Sequence, residues 1–262
     1  MNLGFIGCGK MGKALAESFA EKGFNLKKIT CFDLDKGNLA GMKKLGFKGA
    51  KTAEQAVKGS AIIFICVKPQ DIETALAGIK PLLRKKIVVS IAAGKKISSI
   101  AKASGAKKIV RVMPNIAALA SESMSVYACK GLNAGEKKRV KSLLSLSGKA
   151  LEMDEKFFDS VTALSGSGPA FAAHFIETLA LAGVKNGLGK NDALLLAEQT
   201  VYGTSKLLLQ GKFSAKEVVE MVSSPNGTTV AGMKALKQSG FEKAVLGAVS
   251  AARKRSQGLG KA

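Results

Sequence analysis

Gly7, Gly9 and Gly12 stand at the spacing G-x-G-x-x-G within Leu3-Gly4-Phe5-Ile6-Gly7-Cys8-Gly9-Lys10-Met11-Gly12. Each glycine has a mechanical use. Gly7 permits a sharp turn, Gly9 lets the backbone approach a pyrophosphate, and Gly12 lets a helix pack closely on a strand. The anion would rest on the free N–H groups of the helix amino terminus, where the helix dipole is positive. Alone, such a pattern also arises as a purely structural turn, so its surroundings decide. Here an apolar strand precedes it, and residues 11–22 follow with Leu15, Ala16, Phe19 and Ala20 at helical spacing. A second strand over residues 28–32 ends in Asp33, about 20 residues further on. The pattern reads as a site for a dinucleotide, NADPH or NADH. A carboxylate at Asp33 accepts both ribose hydroxyls and repels a 2′-phosphate, whereas Lys36 pulls the other way. No strong preference for NADPH is therefore expected, with NADH the favoured side.

Two further junctions carry chemistry. Ser223-Ser224-Pro225-Asn226-Gly227-Thr228-Thr229 opens a helix, so its N–H groups suit a carboxylate, and its hydroxyls both donate and accept. The plain alternative is an ordinary helix cap. Leu164-Ser165-Gly166-Ser167-Gly168-Pro169 leads into another helix. Neither junction offers a strong base. His174 is the sole histidine, which excludes a histidine metal cluster. A lone histidine on an apolar helix reads first as a core or interface residue.

The elements that must position these groups fall into two halves. Strands are expected at residues 3–6, 28–32, 47–50, 61–67, 87–91, 108–113, 123–129 and 150–153, with helices near 35–45, 53–58 and 136–146 between them. Residues 61–67 form a continuous apolar run, the mark of a parallel strand buried on both faces. The alternation predicts an α/β doubly wound sheet whose ligand lies beyond the carboxyl ends of the strands. Those ends carry the glycine turn, Asp33, Val67-Lys68-Pro69-Gln70, Ala92-Ala93-Gly94 and Pro114-Asn115. After residue 155 no strand is expected. Helices follow at 158–164, 169–186, 191–210, 215–222, 228–239 and 241–257. The spans 169–184 and 193–209 are apolar nearly all round, so a partner subunit is expected to cover them, the alternative being a compact monomeric bundle with these two at its centre. The division predicted is residues 1–155 for cofactor binding and 156–262 for an all-helical dimerisation and substrate domain.

Length and composition agree with that plan. The chain has 262 residues and an apolar fraction of 47%, enough for two packed domains. Its formal charge of +22 is spread over many elements, and aromatics make up 5%, so a basic solvated surface is expected and no nucleic-acid partner. Cys8, Cys31, Cys66 and Cys129 lack C-x-x-C spacing and read as reduced thiols of a cytoplasmic protein, without metal. Gly7 interrupts the first apolar run, which argues against a secretory leader, and no apolar span is long enough for a membrane helix.

The two junctions, together with Val67-Lys68-Pro69-Gln70 and Arg111-Val112-Met113-Pro114-Asn115, resemble the pyrroline-5-carboxylate reductase family from Gly4 to about Gly258. The segment 221–236 is similar to that family's signature. The resemblance implies a Rossmann domain followed by a helical dimerisation domain, with dimers often built into larger rings. It implies reduction of the cyclic imine 1-pyrroline-5-carboxylate to L-proline by NADPH or NADH, the last step of proline biosynthesis. It places Gly7, Cys8, Gly9, Lys10, Met11, Gly12, Asp33, Val67, Lys68, Pro69, Ala92 and Ala93 at the cofactor. Ser224, Gly227, Thr228 and Thr229 fall at the substrate, with Lys68 beside it and Thr229 as the catalytic group on the ring nitrogen. The chain departs from the family at Asn226, where a second glycine is usual, and at Ile116-Ala117, where Thr-Pro is usual. Three rivals remain, the third a basic nucleic-acid-binding module that salt-sensitive DNA binding would reveal. A 3-hydroxy-acid dehydrogenase would need a lysine on the helix after Gly168, yet none appears before Lys185. A non-enzymatic NAD(P) sensor would bind the nucleotide without oxidising it.

Overall fold

A computed structural model describes residues 1–260. It divides into two compact units, Met1–Ser167 with 252–260, and Gly168–Ala251. The first unit holds β1 (Leu3–Ile6), α1 (Lys10–Glu21), β2 (Ile29–Phe32), α2 (Lys36–Lys44), β3 (Lys48–Gly49), α3 (Ala53–Lys58) and β4 (Ile62–Ile65). Next come α4 (Ile72–Ala77), α5 (Lys80–Leu83), β5 (Ile87–Ser90), α6 (Ile97–Ser104), β6 (Lys108–Met113), β7 (Ser123–Lys130), α7 (Ala134–Leu144), β8 (Gly148–Glu152) and α8 (Phe158–Val161). The expected elements are present; the run 61–67 is paired only over Ile62–Ile65, and the strand expected at 150–153 begins two residues earlier, at Gly148.

The eight strands form one sheet in the order β3-β2-β1-β4-β5-β6-β7-β8. The side-chain period of a strand explains its two cores. Along β4, Ile62 and Phe64 join one cluster with Phe5, Leu15, Phe19 and Val140. Ile63 and Ile65 join the other with Val57, Leu76, Val88 and Ile100. Helices α1, α2 and α7 therefore cover one face, and α3 to α6 the other. Phe5 and Phe64 stack at 4.7 Å with Phe19 edge-on to Phe64 at 5.6 Å, which pins α1 to the centre of the sheet.

The sheet departs from an all-parallel one. β6 and β7 pair antiparallel, and β8 then runs parallel to β7. Only a short 3₁₀ turn, Ile116–Ala120, joins β6 to β7. That connection is too short for the crossover a parallel neighbour needs. At the other end of the unit, the buried Arg111 pairs with Glu155 at 2.9 Å and lies over the Phe158 ring at 4.4 Å. Glu155 also accepts the Ile97 N–H at 2.6 Å, and Ser256 bonds Asp159 at 2.7 Å, which anchors residues 252–260 in this unit.

The second unit comprises α9 (Gly168–Lys185), α10 (Lys190–Leu209), α11 (Ala215–Met221), α12 (Thr228–Gln238) and the first part of α13 (Phe241–Leu259). No strand occurs in it among the described residues. α9 and α10 pack through Ala180, Ala193 and Ala197. Leu181, Leu195, Leu196, Tyr202 and Leu209 remain more than half exposed. Within one chain these helices keep a wide uncovered apolar surface. His174 is likewise no core residue: its side chain is 80% exposed, 3.6 Å from Glu177.

Candidate active site

The glycine turn is built as its residue types require. Gly7 has φ +94°, a left-handed conformation that a side chain strains, and a Cβ there would meet the Cys66 carbonyl carbon at 2.8 Å. A Cβ on Gly12 would collide with the Gly7 carbonyl oxygen and reach Cys66 Cβ at 3.0 Å. At Gly9 a Cβ meets nothing within 4 Å. Gly9 is also the N-cap of α1, which has no side-chain cap and no acid in its first turn. An anion-binding helix terminus is thus left open beside a stretch of bare backbone, and a dinucleotide pyrophosphate fits that cradle.

The turn opens on a cleft of about 740 Å³ at the point where strand order reverses between β1 and β4. Ligands of open α/β sheets bind at such a place. Of the expected cofactor residues, Gly7, Gly9, Asp33, Val67 and Lys68 line it. Cys8, Lys10, Met11 and Gly12 belong to the turn and the start of α1, and Pro69 opens a 3₁₀ turn after Lys68. Ala92 and Ala93 follow β5 and do not line this cleft. The sequence reasoning passed over Asp35, Asn38, Thr52, Glu54 and Asp71, which do. Asp35 had a local signal, being an aspartate directly before a helix.

Asp33 is more occupied than its position suggests. Its carboxylate accepts the Cys8 N–H at 2.6 Å and the Asp35 N–H at 2.8 Å, and the Asn38 amide donates to it at 3.3 Å. It ties the glycine turn to the loop before α2, and only its spare lone pairs face a ligand. Cys8 and Cys66 are poor nucleophiles. The neighbouring Cys31 thiol and burial push the Cys8 thiol far up, and burial does the same to Cys66. All four cysteines are unpaired. Among the described residues no cluster of metal-ligating side chains occurs, and no helix is long and apolar enough to cross a membrane.

Asn115 acts as a brace. Its side chain caps the following turn by accepting the Ala117 N–H at 3.3 Å and donates to the Ser165 carbonyl at 3.2 Å. Residues Thr162–Gly166 form a π-helical turn, a form often found at functional sites.

In the second unit, Ser224, Gly227, Thr228 and Thr229 come together at the amino terminus of α12. The Gly227 N–H bonds the Ser224 carbonyl at 2.9 Å, and a Cβ on Gly227 would run into the Ser224 side chain. Asn226 takes φ +56°, which asparagine tolerates better than most residues. Gly227 is the N-cap and, as at α1, no side chain caps the helix. Thr229 is half-buried, whereas Thr228 and Ser224 are exposed. The first turn of α12 thus offers uncapped N–H groups beside two hydroxyls and no base.

Comparison with known proteins agrees along the whole chain. A family model described as "Pyrroline-5-carboxylate reductase dimerisation" matches residues 155–259, and one described as "NADP oxidoreductase coenzyme F420-dependent" matches residues 2–94. The chain is 37% identical to a pyrroline-5-carboxylate reductase of Pisum sativum, over 98% of this chain and 95% of that one. It is 38% identical to one of Methanosarcina acetivorans, over 99% of this chain and 98% of that one. A solved structure of a Plasmodium falciparum pyrroline carboxylate reductase with NADP bound superposes with a TM-score of 0.89, at 33% identity, over 99% and 98% of the two chains.

Proposed function

Since this chain belongs to the pyrroline-5-carboxylate reductase family, we propose how its own residues divide the work of that reaction. The protein is an NAD(P)H-dependent oxidoreductase of proline biosynthesis that reduces 1-pyrroline-5-carboxylate to L-proline, and it is a homo-oligomer. The family sets aside both the hydroxy-acid dehydrogenase and the nucleotide-sensor alternatives.

Residues 1–155 bind the cofactor, and residues 156–262 dimerise and bind substrate. The cofactor, when bound, supplies the hydride. Gly9 and the uncapped amino terminus of α1 receive its pyrophosphate, Asp33 its adenosine ribose, and Val67, Lys68, Pro69, Ala92 and Ala93 the remainder. Gly227 and Thr228 hold the substrate carboxylate chiefly through backbone N–H groups, and Ser224 and Lys68 are further substrate-binding residues. The Thr229 hydroxyl bonds the ring nitrogen and supports its protonation, which makes the neighbouring carbon electrophilic without a general base. The observation that carries this assignment is the uncapped amino terminus of α12 with Thr228 and Thr229 as its first two residues. The wide apolar surface of α9 and α10 supports assembly of dimers into a larger ring. The unpaired thiols support a cytoplasmic location.

The test follows nicotinamide absorbance with pyrroline-5-carboxylate, for wild type and Thr229→Ala. A Thr229→Ala protein that keeps full turnover with its fold intact refutes the role of that hydroxyl and moves attention to Glu177 or an ordered water.

A further inference from the structure

We propose that Asp35, at the amino terminus of α2, makes this enzyme favour the cofactor without a 2′-phosphate, so that NADH is used ahead of NADPH. The inference rests on the cleft beside Gly7 and Gly9 being the cofactor site. At the end of β2 the groups best suited to receive a phosphate are the first amides of α2. Asp35 already takes the second and third of them, its Oδ1 accepting the Gly37 N–H at 2.7 Å and the Asn38 N–H at 3.1 Å. The Asp35 and Cys8 amides and the Asn38 side chain all donate to Asp33. These five donors are therefore engaged by two carboxylates of the chain itself.

Charge points the same way. The cleft is lined by Asp33, Asp35, Glu54 and Asp71 against Lys51 and Lys68, four negative groups and two positive, a balance of −2. The protein as a whole carries +22. A lining of opposite sign in so basic a chain is a local feature and does not follow from composition. A phosphate monoester carries about −1.5 to −2 at neutral pH, and it would have to enter beside Asp33 and Asp35. Ribose hydroxyls, in contrast, donate to the spare lone pairs of Asp33. Lys36 is exposed at the first position of α2 and does not line the cleft, so it offsets this little.

The experiment measures binding of NAD⁺ and NADP⁺ to the cofactor-free protein by calorimetry, alongside kcat/KM for NADH and NADPH. Wild type should bind NAD⁺ at least tenfold more tightly than NADP⁺. Asp35→Ser keeps a capping oxygen and removes the charge, and it should tighten NADP⁺ about tenfold while NAD⁺ stays within about threefold. Asp35→Asn, a second variant that keeps the cap, guards against a folding defect and should shift the ratio in the same direction. Equal or tighter NADP⁺ binding by wild type, or an unchanged ratio in both variants, overturns the proposal. Failure of wild type to bind either nucleotide overturns it together with the site assignment, and is told apart by the absence of any ratio to compare.

Discussion

Alanine at Gly9 and alanine at Gly12 should fail in opposite ways, although the two sites lie three residues apart in one motif. At Gly12 the new Cβ meets the Gly7 carbonyl oxygen and, at 3.0 Å, Cys66 Cβ. The first of these is backbone and cannot rotate away. Overpacking of this kind costs about 1–3 kcal/mol, and the tight backbone contact places it near the upper figure. Replacing a helical glycine returns up to about 1 kcal/mol of propensity. The net loss is about 2 kcal/mol, or roughly 4–8 °C in the thermal midpoint at about 2–4 °C per kcal/mol. At Gly9 nothing lies within 4 Å, and φ −65° and ψ −173° suit any residue. There the entropic gain of about 0.4–1 kcal/mol offsets a similar loss of N-cap quality, so stability stays within about 1 kcal/mol. The same methyl group occupies the space where the backbone must approach the pyrophosphate, so cofactor affinity should fall at least tenfold, or about 1.4 kcal/mol. Thermal denaturation of the cofactor-free protein and calorimetric titration with NAD(P)⁺ give both quantities. A Gly9→Ala protein with wild-type affinity, or a Gly12→Ala protein with an unchanged midpoint, refutes the reasoning.

Thr229→Ala should lower kcat/KM by roughly 10- to 1000-fold, the range for one hydrogen bond strengthened in the transition state. Thr228→Ala should do much less, since its amide survives truncation, and steady-state kinetics with unchanged cofactor affinity separates the two. Phe64→Ala removes a fully buried ring stacked on Phe5 and should cost about 3–5 kcal/mol in denaturant unfolding. Glu136, which completes the cap of α7 with Asn133, is held below the ordinary carboxyl value of 4.5 by the Lys108 ammonium and then by the Asn133 N–H. A depressed value means that its contribution is present above pH 4.5 and lost as pH falls through the lower folded value. Glu136→Gln should therefore melt below wild type at neutral pH and match it in strongly acid solution.

The residues of the glycine turn, the two-faced strands and the helix that Thr228 begins were legible in the sequence, because each is governed by near neighbours. A glycine spacing, a period of two, or a hydroxyl pair opening a helix is written within a few residues. The apolar run 61–67 announced a central strand for the same reason, with Ile62–Ile65 as its paired part. What the sequence left open depends on residues far apart in the chain. The reversal of β7 follows from how a short connection must fold back, and the periodicity of β7 itself is silent on direction. Asp33 looked like a free ribose ligand until folding set the Cys8 N–H, 25 residues away, on its carboxylate. Asn115 gained its part only through Ser165, 50 residues on. The acidic lining of the cleft likewise gathers Asp33, Asp35, Glu54 and Asp71 from three separate segments. Local patterns fix which elements form and which face they bury, but a site's charge and its free donors are sums over groups that only the tertiary fold brings within reach of one another.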